Sequence, residues 1–446
     1  MNALLKRAGD INLAALVCIT LMFLALLAGG ANSASAASLL SLLLCAMAAL
    51  TLLASPRAKC ARLWSDNWLS AGAFLVFLGL ALASATPLAN AWTGAHPAWA
   101  AMGVENGASA LSPYRALEGA AAFAGAGAAF VLGALLAPDS RARDWSGRWL
   151  VLWSLIYTAI GLYLYFGAQA RPGGRLDVAI GSANAAAMLF ALCIFVAAVL
   201  IVRGARGRLG GRADAGWIGL LTAAPLSLAS ALVLFGALLL TASRGALAAF
   251  CAALVLFLII AATARLRSAN ARAGFLAAPL LVLTVLFGLF FLRGGDEVIA
   301  RLALAGEDAQ VRRIIAETHW AAFLQRPLFG HGLNAYHELN ALSANPGNWR
   351  AIASAGSAHN IFIQALEETG IVGLGLFALM LLPLIGRAII RIGARAPGAD
   401  WALGALAITA LVLLHGLVDF GLQVPAIAAL YAFILGVSLG RSARRA

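Results

Sequence analysis

Long uninterrupted apolar runs decide what this chain can become. A helix of roughly 18 or more apolar residues crosses the ~30 Å hydrocarbon core of a bilayer. Such runs lie near 11–28, 38–54, 68–86, 117–137, 149–167, 181–202, 216–241, 246–264, 273–292, 361–385, 401–418 and 422–440. In lipid only helices and closed barrels satisfy their own backbone, and these runs lack the two-residue alternation of barrel strands. The expected fold class is all-α, a polytopic membrane protein of about twelve spans. By this reading the chain divides into helices at 1–169, a second helical group with a Ser-Arg-Gly turn at 170–292, a large partly helical loop at 293–360, and closing helices at 361–446.

Charge sets the expected orientation. Lys6 and Arg7 come first, and every second loop thereafter is basic: Arg57, Lys59 and Arg62; Arg141, Arg143 and Arg148; Arg203, Arg206, Arg208 and Arg212. The pattern continues with Arg265, Arg267 and Arg272; Arg387, Arg391 and Arg395; Arg441, Arg444 and Arg445. These make 21 of the 31 Lys+Arg. Basic loops stay cytoplasmic, so both termini are expected there, with the 293–360 loop on the opposite side. The net charge of +13 is explained by orientation and by anionic headgroups, and no nucleic-acid partner is expected. The first helix resembles a signal peptide, but its apolar stretch exceeds the usual 7–15 residues, so it is expected to remain uncleaved.

The opposite side has its own chemistry. All six histidines fall there or at the outer end of a span, with arginine but no lysine. Arginine in that setting suits planar contact to phosphate or carboxylate. Near 170–188, Arg171 and Arg175 precede a helix N-terminus carrying Asn184. Ser243-Arg244-Gly245 interrupts a long apolar stretch and must turn the chain. An arginine there either snorkels or holds a partner. In the 293–360 loop, residues 308–325 have helical periodicity, with Arg312, His319 and Arg326 recurring every seventh position. Arg313 and Glu317 make an ordinary i, i+4 pair. Pro327 stops that helix, Gly330-His331-Gly332 turns, and Ser357-Ala358-His359-Asn360 caps the next helix, with Glu367 and Glu368 about two turns on. His96, with Trp92 and Trp99, reads as an interfacial anchor, and His415 with Asp419 as a structural pair.

No H-E-x-x-H occurs and no external cysteine accompanies the histidines, so neither a metal nor a cofactor is expected. A serine-nucleophile elbow is not expected either. Arginine clusters with a neutral histidine nearby instead suit a departing pyrophosphate, with the histidine taking a proton from an attacking hydroxyl.

Arg312, Pro327-Leu328-Phe329-Gly330-x-Gly332, His359-Asn360 and Glu368-x-Gly370 together resemble the O-antigen ligase and polymerase superfamily. Ser243-Arg244-Gly245, and Arg175 ahead of Gly181-x-x-Asn184, resemble its upstream signatures. His331 stands where a small apolar residue is usual, and Ala316 where tryptophan is frequent. The resemblance implies a metal-independent inverting glycosyltransferase of the bacterial inner membrane, working on the periplasmic face. Its implied partners are an undecaprenyl-pyrophosphate-linked glycan donor, a lipid A core or glycan acceptor, and membrane lipid. Carried over by position, Arg244 and Arg312 grip the pyrophosphate and His359 activates the acceptor. Arg175, Asn184, His319, Arg326, His331 and Asn360 stand as further substrate contacts. Ligase is the first reading and surface-polysaccharide polymerase the second. A lipid-linked oligosaccharide flippase is the rival of another class, disfavoured because transporters keep polar groups near the midplane.

Overall fold

The computed structural model describes residues 2–137, 139–167, 174–208, 224–265, 284, 305–353 and 355–440. The span expected at 273–292 and Arg171 lie outside these residues. So do the side chains of Lys6, Arg7 and the basic stretches 206–212, 265–272 and 441–445. Among the described residues all regular structure is helical: α1 (Asn2–Leu27), α2 (Ala34–Ala54), α3 (Arg57–Ser84), α4 (Asn90–Thr93), α5 (Pro97–Ala101), α6 (Pro113–Leu136), α7 (Ser140–Phe166) and α8 (Ala183–Arg208). The order continues with α9 (Pro225–Leu240), α10 (Arg244–Arg265), α11 (Ala305–Gln325), α12 (Tyr336–Leu342), α13 (Trp349–Ile352), α14 (Ile361–Gly393), α15 (Ala399–Gly416) and α16 (Pro425–Leu439).

Eight of these helices are long and apolar enough to cross a membrane, and three shorter apolar ones lie at Leu13–Leu27, Pro225–Leu240 and Pro425–Leu439. Each falls on an expected apolar run. The chain is an all-α polytopic membrane protein.

Burial sorts the helices into centre and rim. α8 has 83% of its apolar window buried and α15 has 78%, whereas α14 has 17% and α2 and α3 have 28% each. The first pair therefore forms the middle of the bundle, and the others face lipid. Lipid tails are as apolar as leucine, so close backbone approach has to supply much of the attraction between helices. The α6–α16 crossing shows this. A Cβ on Gly133 would stand 2.3 Å from the Phe433 carbonyl oxygen, and one on Gly436 would stand 2.2 Å from that of Phe130. Only glycine permits that contact.

The two ends of the bundle differ as the charge pattern requires. At one end Arg143 and Arg391 both donate to the Gly440 carbonyl (2.7 and 3.2 Å), Lys59 donates to that of Leu135, and Arg387 donates to Asn67. Arg203 pairs with Asp144 at 2.5 Å. The opposite end carries α4, α5 and the polar part of the chain between α11 and α14.

There α14 is broken. Gly370 has φ 65° and ψ −171° inside an otherwise continuous helix. The turn after α11 docks into the break through four backbone hydrogen bonds. Ile371 N–H donates to Pro327, Val372 to Leu328, His331 to Glu367 and Gly332 to Glu368, at 2.8–3.1 Å. A Cβ at Gly370 would lie 2.2 Å from the Leu328 oxygen, and one at Gly330 would lie 2.4 Å from the Glu368 backbone. Pro327-Leu328-Phe329-Gly330-x-Gly332 and Glu368-x-Gly370 are thus two halves of one backbone joint. Arg115 clamps the loop from α6, reaching Glu338 at 3.1 Å and Glu118 at 3.0 Å.

Candidate active site

A short turn, His415–Phe420, joins α15 to α16 and gathers polar side chains from three distant parts of the chain. From the start of α8, Asn184 donates through Nδ2 to the Asp419 carboxylate. Arg175 donates to Asn184 Oδ1 at 2.6 Å, and through Nε to the Thr241 carbonyl at 2.7 Å. From α11, Arg312 donates to the Val418 carbonyl at 3.2 Å. From the cap of α14, Asn360 donates to the Leu417 carbonyl at 3.1 Å. The His359 ring meets Phe420 edge-on, centroids 5.5 Å apart.

Ser243-Arg244-Gly245 is built for the same meeting. The Ser243 hydroxyl accepts the Ala246 N–H and caps α10. Arg244 follows on the exposed first turn. A Cβ on Gly245 would sit 2.7 Å from Val418, so glycine lets the turn press against the helix start. The tripeptide sets an arginine beside the turn that Arg312 also touches.

His359 occupies the left-handed region at φ 50°, a conformation costing a non-glycine residue roughly 1–2 kcal/mol. Two devices hold it. The Asn360 side chain accepts the N–H groups of Phe362 and Ile363 (2.9 and 3.1 Å) and starts α14. Glu368 accepts from Gln364 at 2.9 Å, and Gln364 in turn accepts the Ala358 N–H at 3.1 Å. The carboxylate therefore fixes the backbone next to His359 through one amide. His359 Nδ1 is buried with no hydrogen-bond partner. Burial pushes the imidazole below its usual range; Asp419 opposes this and Arg312 adds to it.

The remaining expected contacts fall in a second cluster, inside the outer loop. His319 and Glu367 have fully buried side chains 2.5 Å apart, and the His319 ring stacks on Tyr336 at 4.5 Å. Burial pushes His319 down to about 4 and Glu367 up to about 9, so the contact is a hydrogen bond between neutral groups rather than an ion pair. His331 lies 2.8 Å from both His96 and the Ala322 carbonyl, its two ring nitrogens taking one each. With His331 Nε2–H donating to the carbonyl, His96 Nε2–H must donate to His331 Nδ1. His96 Nδ1 then accepts the Ala98 N–H at 3.2 Å. Arg326 is spent on the carbonyls of Thr93, Ala95 and Gly94 at 3.0–3.4 Å. His319, Arg326 and His331 hold the loop together, whereas Asn184, Arg312, His359 and Asn360 touch the turn, Arg175 reaches it through Asn184, and Gly245 brings the start of α10, which carries Arg244, against it.

Three readings change. His415 and Asp419 do not bond each other: His415 Nδ1 faces Met188 Sδ at 3.5 Å, and Asp419 binds Asn184 and its own neighbour Phe420 N–H. His96 belongs to the loop's histidine chain and is buried rather than anchored at the membrane surface. The spacing G-x-S-x-G does occur, at Gly436–Gly440, within and just past α16. Ser438 is buried in that helix and Gly440 binds arginines at the other end of the bundle, so no nucleophile elbow results.

Among the described residues no three His, Cys, Asp or Glu side chains gather with metal-ligand geometry. Residues 229–378 match the family described as O-antigen ligase. Over that stretch the chain is similar to the O-antigen ligase superfamily. No curated protein matches it. The O-antigen ligase match covers Arg244, Arg312 and His359 but neither Arg175 and Asn184 before it nor the 415–420 turn after it. The helices bring those flanks to the matched residues. An i, i+4 polar pair ending an apolar run, His415 and Asp419, was the sequence signal for the turn.

Proposed function

We propose that this chain is an O-antigen-ligase-type inverting glycosyltransferase. In this reading it moves a glycan from undecaprenyl pyrophosphate to a hydroxyl of a lipid A core at the periplasmic face. The observation that carries the proposal is the meeting of Arg175, Arg312 and the start of α10 with His359 on one turn. Guanidinium groups are suited to the oxygens of a departing pyrophosphate. An imidazole kept neutral by burial is suited to accept the acceptor's proton.

In this mechanism the acceptor hydroxyl gives its proton to His359 as its oxygen attacks the anomeric carbon, on the face opposite the leaving group. The bond between that carbon and the phosphate oxygen breaks, and its electron pair leaves with the pyrophosphate. Arg244 and Arg312 stabilise the charge that develops there, with Arg175 beside them. Asn184 ties Arg175 to Asp419, and Asn360 anchors the His359 segment to the turn. These residues supply the neutralisation that a metal ion gives elsewhere.

The test is transfer by the purified protein in lipid vesicles, from lipid-linked glycan to lipid A core, with and without excess EDTA. Transfer is expected to persist in EDTA. Loss of activity restored by a divalent cation would overturn the arginine mechanism. In cells lacking the protein, full-length chains stranded on the lipid carrier are expected. Single repeats on the carrier would identify a polymerase instead.

A further inference from the structure

One face of α11 changes character along its length. Positions 313, 317, 320 and 324 follow the i, i+4, i+7, i+11 spacing that lines one side of a helix. Arg313 and Glu317 are exposed at 78% and 62% and pair with each other at 2.7 Å. Trp320 and Leu324 come next, exposed at 45% and 59%, and Leu328 follows beyond the helix at 60%. The other side of α11 carries Ile315, His319, Ala322 and Phe323, all buried against the loop and α14. The helix already has a core to pack on, so its charged-to-apolar side answers to something outside the described fold.

The apolar end adjoins a surface that lipid covers. Ile371 and Val372, on the membrane side of the α14 break, donate to the carbonyls of Pro327 and Leu328. Ile371 is itself exposed, and so are Leu379, Leu382, Ile389 and Ile390 farther down α14. Leu328 therefore continues the lipid-facing side of a spanning helix, and Leu324 and Trp320 carry it up onto α11. Arg326, between them in sequence, is turned away into the carbonyls of residues 93–95. That removes the one charge that would have interrupted the strip. A tryptophan between an apolar end and a charged end is the arrangement that headgroup depth favours.

We propose that α11 is seated obliquely in the surface of the bilayer. Leu328 and Leu324 enter the acyl region, Trp320 lies among the headgroups, and Arg313 and Glu317 stand in water. The occupant of the exposed face is lipid. If the proposed function holds, this seating sets Arg312, next to Arg313, just above the headgroups, within side-chain reach of the height at which a lipid-linked pyrophosphate presents its charge.

The experiment uses the full chain, its five cysteines replaced and single cysteines placed in turn at 313, 317, 324 and 328. Each carries an environment-sensitive fluorophore and is reconstituted in phosphatidylcholine–phosphatidylglycerol vesicles, without any glycan substrate. Nitroxide-labelled lipid is expected to quench the labels at 324 and 328, with blue-shifted emission. Aqueous iodide is expected to quench those at 313 and 317, with at least a threefold contrast between the two pairs. Iodide quenching at 324 and 328 equal to that at 313 would put the whole face in water and overturn the proposal. Protection of 324 and 328 from both quenchers would put a protein there, a second copy or another chain, and overturn it as well. Because no transfer is measured, a failed glycosyltransferase reading leaves this result standing.

Discussion

Arg312 and Arg313 are adjacent in sequence and about 100° apart around α11, and that rotation assigns them different work. Arg312 reaches the Val418 carbonyl on the site turn, whereas Arg313 pairs with Glu317 in the open. Arg312→Ala is expected to lower glycan transfer by a factor of roughly 10² or more, the cost of losing one charge-stabilising donor. Arg312→Lys should recover only part, because an ammonium lacks the planar fork. Arg313→Ala should leave transfer near normal at matched membrane levels. Equal losses at both positions would remove Arg312 from the mechanism. His359 carries a second expectation, on pH. A base must be neutral to take a proton, and burial holds this imidazole below its ordinary value of 6.5. The acid limb of kcat/KM should therefore lie below that value rather than at it. A limb at or above 6.5, or full activity in His359→Ala, would show that another group is the base.

Among the elements, the break in α14 decides whether the site exists. Its outer segment, Ile361–Thr369, carries the Asn360 cap and the Gln364–Glu368 relay that hold His359. Its inner segment crosses the membrane, and Gly370 joins the two. A Gly370→Ala change adds a Cβ 2.2 Å from the Leu328 oxygen at a residue with φ 65°. With ψ −171° this conformation is essentially confined to glycine and alone costs another residue about 1–3 kcal/mol, and the backbone joint must also part. Lower thermal stability in nanodiscs is expected, with loss of transfer even though Arg312 and His359 are intact. Transfer and melting indistinguishable from the parent protein would show that the joint does not position the site.

At the scale of the whole molecule, the outer loop rests on neutral buried histidines, whose own contribution to stability is acid-sensitive. His96 is pushed down to about 4, first by burial and further by His331 and Arg326. Burial likewise holds His319 at about 4. Unfolded imidazoles take up protons near 6.5, so between about 6.5 and 4 these histidines bind more protons in the unfolded loop than in the folded one. Glu367, raised by burial to about 9, and Glu368, raised to about 7, bind more in the folded state and act the other way. The histidine contribution to stability is complete above that window and is lost as pH drops through it. With Glu367→Gln and Glu368→Gln removing the opposing carboxyls, limited proteolysis of the vesicle-bound protein should cut within 305–353 much faster at pH 5 than at pH 7.5. Equal rates would mean that these histidines are not held neutral.

The apolar runs determined the fold class and the order of helices, because a backbone in hydrocarbon has no alternative to satisfying itself locally. The alternation of basic loops determined that one end of the bundle would collect arginine. Pro327, Gly330, Gly332 and Gly370 were legible as turn and helix-stopping signals, since their backbone constraints are local. Residue order alone did not separate Arg326, His331 and His319, which hold the loop, from Arg312, His359 and Asn360, which meet the turn. All six sit in the same polar stretch and share residue types. Only tertiary structure decided that division. It brings the turn after α15 against the start of α8, the start of α10 and the cap of α14, joining residues as far apart as Asn184 and Asp419. Local spacing fixes which way a side chain leaves its own helix, but its partner depends on how separate helices pack.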